Sequence, residues 1–112
     1  MMTDQVSFAG QLYPEHMPEV SQKGFKSLIN NRPDFEGGND QPTSAQLEEA
    51  ARNAGIDYVF QPVVAGQISQ LDVESFARHY NELPKPILMF CRTGNRSSNL
   101  YQMAKQMDLL DD

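Results

Sequence analysis

Apolar positions in this chain come in two alternating patterns: short, nearly unbroken runs, and longer stretches in which apolar residues recur every three or four positions. The runs predict strands and the periodic stretches predict helices. Val6 to Leu12 is the first strand, although Gly10 interrupts it. "YPEHMPEVSQKG" predicts a short helix with Met17 and Val20 inward, ended by Gly24. Phe25 to Asn30 is the second strand, and "NRPDFEGGNDQP" is a long loop rich in turn-forming residues. Thr43 and Gln46 have capping-box spacing, and Leu47, Ala50, Ala51 and Ala54 form an apolar stripe that stops at Gly55. "IDYVF" is the third strand. After the connector "VVAGQ", Ser69 caps a helix carrying Val73, Phe76, Ala77, Tyr80 and Leu83, closed by Pro84 and Pro86. "ILMF" is the fourth strand, apolar without alternation, as a central parallel strand covered on both faces must be. A last helix is expected to begin near Ser97 and to bury Leu100, Met103, Ala104 and Met107. The alternation predicts an α/β protein with three layers: a mostly parallel sheet of four to five strands flanked by helices, in one domain over residues 1–112.

Composition narrows the picture. The chain has 112 residues, enough for one core and little more. A net charge of -6 leaves no basic surface for nucleic acid. No run approaches a membrane span, and "MMTDQVSFAG" lacks the basic and apolar blocks of a secretory leader, so a cytoplasmic location with no membrane partner is expected. The chain has a single cysteine, which excludes an internal disulfide and fits a reducing compartment.

That cysteine, Cys91, follows the fourth strand directly and opens the loop Cys91-Arg92-Thr93-Gly94-Asn95-Arg96-Ser97 ahead of a helix. Ligand sites in open α/β sheets lie at this end of the strands. Gly94 allows the backbone to curl and aim successive N–H groups at one point, and the helix N-terminus adds its own unpaired N–H groups. Such surroundings favour thiolate over thiol. Arg96 is permanently cationic and suited to gripping an oxyanion with two donors. A free cysteine by itself is more often a small buried residue, but strand, Cys, Gly, Arg, Ser and helix in this order favour a nucleophile loop, with Cys91 and Arg96 catalytic and Arg92, Thr93, Gly94, Asn95 and Ser97 binding the anion.

Loop length separates two chemistries. Tyrosine phosphatases place five residues between Cys and Arg, usually with His before the Cys; rhodaneses place four, around a cysteine persulfide. Here there are four, and Phe90 precedes the Cys. "CRTGNRS" resembles the active loop of single-domain rhodaneses. The blocks "AGQL", "GFKSLINNRPDFEG", "AGIDYVFQPV" and "KPILMFCRTGNRS" are similar to successive segments of the beta-lactamase-hydrolase-like protein family, in its phosphatase-like domain. This resemblance covers nearly the whole chain. It implies a protein tyrosine phosphatase-like fold of the dual-specificity type, with a rhodanese-like fold as second choice. It also implies a link to persulfide metabolism and docking to a sulfide- or persulfide-oxidising enzyme, because relatives occur fused to such enzymes.

Dual-specificity phosphatases carry a general-acid Asp shortly after the strand matching "DYVFQPV"; here no carboxylate follows until Asp72, whose position suits the first turn of a helix. The expected activity is therefore sulfur transfer. Cys91 would carry a persulfide from thiosulfate or a low-molecular-weight persulfide to a thiol acceptor, without cofactor or metal. The alternatives are a phosphatase working through a phosphocysteine and a non-catalytic anion-binding or redox-sensing module. Arg32 and Asp34 follow the second strand and are possible accessory residues at the same mouth, or a pair that pins the long loop. His16 and His79 share no ligand spacing with Cys91.

Overall fold

A computed structural model describes residues 5–111, so the first four residues of the segment considered as a leader lie outside it. The strands are β1 (Val6–Ala9), β2 (Ser27–Asn30), β3 (Asp57–Phe60) and β4 (Ile87–Phe90). The helices are α1 (Met17–Gln22), preceded by a 3-10 turn at Pro14–His16, α2 (Ser44–Asn53), α3 (Gln70–Glu82) and α4 (Asn95–Gln106). All strand pairs are parallel, in the order β1-β4-β2-β3. β4 is therefore central, and all four of its residues are buried.

Period-two alternation within the strands divides the core. Ile29, Ile87 and Met89 pack with Val73, Phe76 and Tyr80 of α3 and with Leu100, Tyr101 and Ala104 of α4. Leu28, Leu88 and Phe90 pack on the opposite face with Met17 and Val20 of α1 and Leu47 and Ala51 of α2. The consequence for function lies at the carboxyl ends of β2 and β4. These strands are neighbours, yet β2 leads to a helix on one face and β4 to a helix on the other, which opens a crevice between the loops that follow them.

The predicted Thr43–Gln46 capping box starts α2, and Ser69, predicted as the cap of α3, forms a second box with Asp72. The differences from expectation are local. β1 stops at Ala9 because the chain bends at Gly10 toward the Cys91 loop; Gln11 N–H donates to the Arg92 carbonyl at 3.2 Å, and a Cβ on Gly10 would stand 3.1 Å from that oxygen. β2 starts at Ser27 rather than Phe25. α4 begins at Asn95, two residues before the expected start, because Gly94 (φ 95°) already takes the N-cap position and its carbonyl accepts from Ser98 N–H at 3.0 Å. The inward face of α4 is consequently Ser97, Leu100, Tyr101 and Ala104. Met103 is half-buried and packs against this core, whereas Met107 is 42% exposed, so only the first of the two expected methionines reaches the core. Tyr101 also faces inward, with its ring 5.6 Å from Phe8 and 6.0 Å from Tyr80.

The end of β2 is tied to α2 by a buried polar contact. The Tyr58 hydroxyl accepts from Asn30 Nδ2 at 3.0 Å and lies 2.8 Å from Ser44 Oγ. Removing that hydroxyl strands two buried polar groups, so Tyr58→Phe is expected to lower unfolding stability by about 1–3 kcal/mol. A lower urea midpoint at unchanged m-value checks this, and an unchanged midpoint refutes it.

Candidate active site

Cys91 follows β4 at the floor of the crevice and is 1% exposed. Its sulfur accepts a hydrogen bond from Gly94 N–H at 3.1 Å. The turn that allows this favours glycine, because Gly94 has φ 95°, a left-handed conformation that L side chains rarely adopt. Burial alone would push the Cys91 thiol up, but hydrogen bonds from Ser97, Thr93 and Gly94 outweigh it and hold the thiol below its ordinary value. Ser97 Oγ donates to Asn31 Oδ1 at 2.8 Å, and one hydroxyl proton cannot serve both acceptors. The backbone N–H groups of Ser97, Thr93 and Gly94 are the donors that remain free to favour the thiolate.

Arg96 lies in the first turn of α4, and its side chain is only 9% exposed. Nη1 donates to the carbonyls of Val63 at 2.9 Å and Asn31 at 3.4 Å, and Nη2 donates to Glu36 Oε1 at 3.0 Å. Nε is buried and has no partner. A buried guanidinium donor left unpaired is costly unless water or a bound anion satisfies it.

Asn31 holds the loops in register. Its side chain donates to the Gln61 carbonyl at 3.0 Å and accepts from Ser97, while its own carbonyl receives both Val63 N–H and Arg96. The loops after β2, β3 and β4 thus meet at one asparagine.

Of the accessory candidates, Arg32 reaches the mouth and Asp34 does not. Arg32 Nε donates to Glu36 Oε1 at 2.8 Å, the same oxygen that Arg96 uses, and its Nη1 donates to Gln11 Oε1 at 2.9 Å. Asp34 accepts from Ser44 N–H at 2.8 Å and so anchors the long loop to the start of α2. The loop-pinning pair is therefore Arg32 with Glu36, not Arg32 with Asp34. Glu36, Asn31 and Val63 were not anticipated as site residues. The i,i+4 spacing of Arg32 and Glu36 was the only signal in the sequence for any of them.

A cavity of about 710 Å3 opens over Cys91, lined by Ala65, Ile68, Arg92, Thr93, Asn95, Arg96 and the α4 residues Asn99, Gln102 and Met103, among others. No carboxylate among the described residues lines it. Asp72 instead accepts from Ser69 N–H at 3.0 Å as the cap of α3. His79 is half-buried in α3, where burial pushes its imidazole below its ordinary value, and it lines none of this cavity. Among the described residues no group of His, Cys, Asp and Glu is placed to hold a metal ion, and no helix is long and apolar enough to cross a membrane.

Residues 1–108 match the family described as beta-lactamase hydrolase-like protein, phosphatase-like domain. The chain belongs to that family. The phosphatase-like domain is 36% identical over 107 residues to the beta-lactamase hydrolase-like protein of Agrobacterium fabrum and 31% identical to that of Xylella fastidiosa. Each alignment covers 96% of the chain but 25% of the relative, so the domain spans about a quarter of the length of these curated relatives. Among solved structures it is similar to a candidate phosphatase from Neisseria meningitidis, with TM-score 0.86 and 33% identity over 95% of this chain and 75% of the other. A candidate phosphatase from Shewanella putrefaciens aligns with TM-score 0.78 and 25% identity, covering 95% and 70% of the two chains. The fold is phosphatase-like.

Because the folded surroundings favour the Cys91 thiolate, alkylation by iodoacetamide should rise with pH through a midpoint below that of a free cysteine thiol measured alongside. Reactivity should fall away on the acid side of that midpoint as the thiolate is protonated. A stopped series of rates from pH 5 to 10 measures it, and a midpoint at or above the free-thiol value contradicts the stabilised thiolate.

Proposed function

We propose that this phosphatase-like domain is a cysteine-dependent phosphohydrolase acting on monoesters or acyl phosphates with good leaving groups. The observation that carries the reading is the buried Arg96 guanidinium, with both Nη groups committed to the protein and Nε unpaired, on the wall of the cavity that holds Cys91. A phosphoryl oxygen supplies the partner that Nε lacks. Membership of a phosphatase-like family supports the same reaction over the others considered.

In this mechanism the Cys91 thiolate attacks phosphorus as the bond to the leaving oxygen breaks, and the leaving group departs as its anion. The N–H groups of the loop and Arg96 stabilise charge on the equatorial oxygens. Water then attacks the phosphocysteine, releasing orthophosphate and regenerating the thiolate. Protonation of the leaving oxygen is the weak step. Asp34 and Asp72 are committed to backbone N–H groups, and no carboxylate among the described residues lines the cavity. Glu36 is no substitute: burial would raise its carboxyl, but hydrogen bonds from Arg96 and Arg32 bring it below its ordinary value and keep it ionised. A general acid contributes about 10²- to 10⁴-fold, so its lack confines useful rates to leaving groups that are stable as anions.

Steady-state assays should show turnover of 4-nitrophenyl phosphate, abolished in Cys91→Ser and reduced about 10²-fold or more in Arg96→Ala. Alkyl phosphates should be turned over at least about 10²-fold more slowly. Equal rates for wild type and Cys91→Ser would end the proposal.

A second reading, sulfur transfer, draws on the four-residue gap between Cys91 and Arg96 and on the same missing acid. Here the thiolate attacks the sulfane sulfur of thiosulfate, the S–S bond breaks and sulfite leaves with the bonding pair. The Cys91 persulfide then passes its sulfur to a thiol. Sulfite needs no proton to depart. Mass spectrometry after incubation with thiosulfate separates the readings: addition of one sulfur atom at Cys91, without aryl phosphate turnover, replaces the first with the second.

A further inference from the structure

Next to the Cys91 cavity lies another of about 630 Å3, walled by Arg32, Glu36, Gly37, Ala65, Arg92 and Arg96. The two share Ala65, Arg92 and Arg96. Three guanidinium groups thus surround the second cavity with one carboxylate to oppose them. That carboxylate is already divided, since Glu36 Oε1 accepts from Arg32 at 2.8 Å and from Arg96 at 3.0 Å. Arg92 is exposed on the shared wall, and its side chain makes no hydrogen bond or ion pair among the described residues. The backbone is shaped to the same end: a Cβ on Gly37 would stand 2.7 Å from Arg32 Nη2, so glycine is what lets that guanidinium lie against the chain.

We propose that this second cavity is an anion subsite for a further acidic group on the substrate, a carboxylate or a phosphate, which Glu36 occupies in the ligand-free protein. The inference rests on the phosphohydrolase reading for the group held over Cys91. It deepens that reading by assigning the substrate class: small phosphorylated acids rather than neutral phosphate esters. The incoming acid takes the donors of Arg32 and Arg96 from Glu36 and recruits the Arg92 guanidinium, which has no partner among the described residues. Glu36 acts as an internal competitor. It keeps two buried cations compensated while the site is empty, and its displacement sets part of the selectivity.

Calorimetric titration of the whole chain tests this with inert probes. Phosphonoacetate, 3-phosphonopropionate and 4-phosphonobutyrate are each compared with the methyl-, ethyl- or propylphosphonate that lacks the carboxylate. At least one acid should bind roughly ten-fold more tightly than its alkyl partner, the gain of one charge-assisted hydrogen-bonded pair. Arg92→Gln should reduce that ratio to about three or less. Glu36→Gln should raise it, because a neutral amide competes less well for the arginines. The subsite is refuted if no acid exceeds its partner by about two-fold, or if neither substitution moves the ratio. Aryl phosphate turnover is measured on the same preparation. Turnover without acid selectivity overturns the subsite alone, and acid selectivity without turnover overturns the phosphohydrolase reading and leaves the subsite standing.

Discussion

Two neighbouring parallel strands, β2 and β4, deliver their following helices to opposite faces of the sheet, and the site depends on this divergence. Had both loops turned the same way, the Cys91 loop and the Arg32–Glu36 segment would pack side by side with no crevice between them. The divergence is enforced by burial. β4 is apolar on both faces, so each face needs its own pair of helices: α1 and α2 on one side, α3 and α4 on the other. Asn31 then bridges the gap from the β2 side by bonding to Gln61, Ser97 and Arg96, and fixes the opening at its base.

Within the crevice the physical problem is to bury a nucleophile and two cations, Arg32 and Arg96, together. Burial works against a Cys91 thiolate, and the protein answers with backbone N–H donors that cannot rotate away. Because those donors are fixed by Gly94 and by the start of α4, no reorganisation is needed when charge develops at sulfur or at a bound anion. Arg96 meets the same difficulty differently. Backbone carbonyls of Asn31 and Val63 orient its Nη1 edge, and Glu36 neutralises its Nη2 edge. Only Nε stays unmatched.

Glu36 couples the two halves of the mouth. One oxygen serves Arg32 from its own loop and Arg96 from α4, so a single carboxylate ties the long loop to the start of α4. The contact holds while Glu36 is ionised. Its carboxyl sits below the ordinary value, so the contact persists above the unfolded-state pKa and weakens only as pH falls through the lowered folded value. The side chain is 25% exposed, so solvent screening keeps its share of overall stability small.

Much of the architecture was determined by the sequence alone. Period-three-and-four apolar spacing, the Thr43–Gln46 and Ser69–Asp72 boxes and the unbroken "ILMF" run are local signals, and local signals survive in one dimension. The Cys91 loop was legible for the same reason, since strand, turn glycine and helix start are consecutive in the chain. The exact phase of α4 was not legible: Gly94 caps it through a left-handed backbone turn with φ 95° and no side-chain hydrogen bond, so no capping side chain marks the start in the sequence. Likewise Asn31, Glu36 and Val63 carry no motif and gain their roles only when the loops after β2, β3 and β4 are brought together. Sequence determined which groups could bear charge, and tertiary structure decided which charges meet, because electrostatic partners are chosen by distance in space and not by separation along the chain.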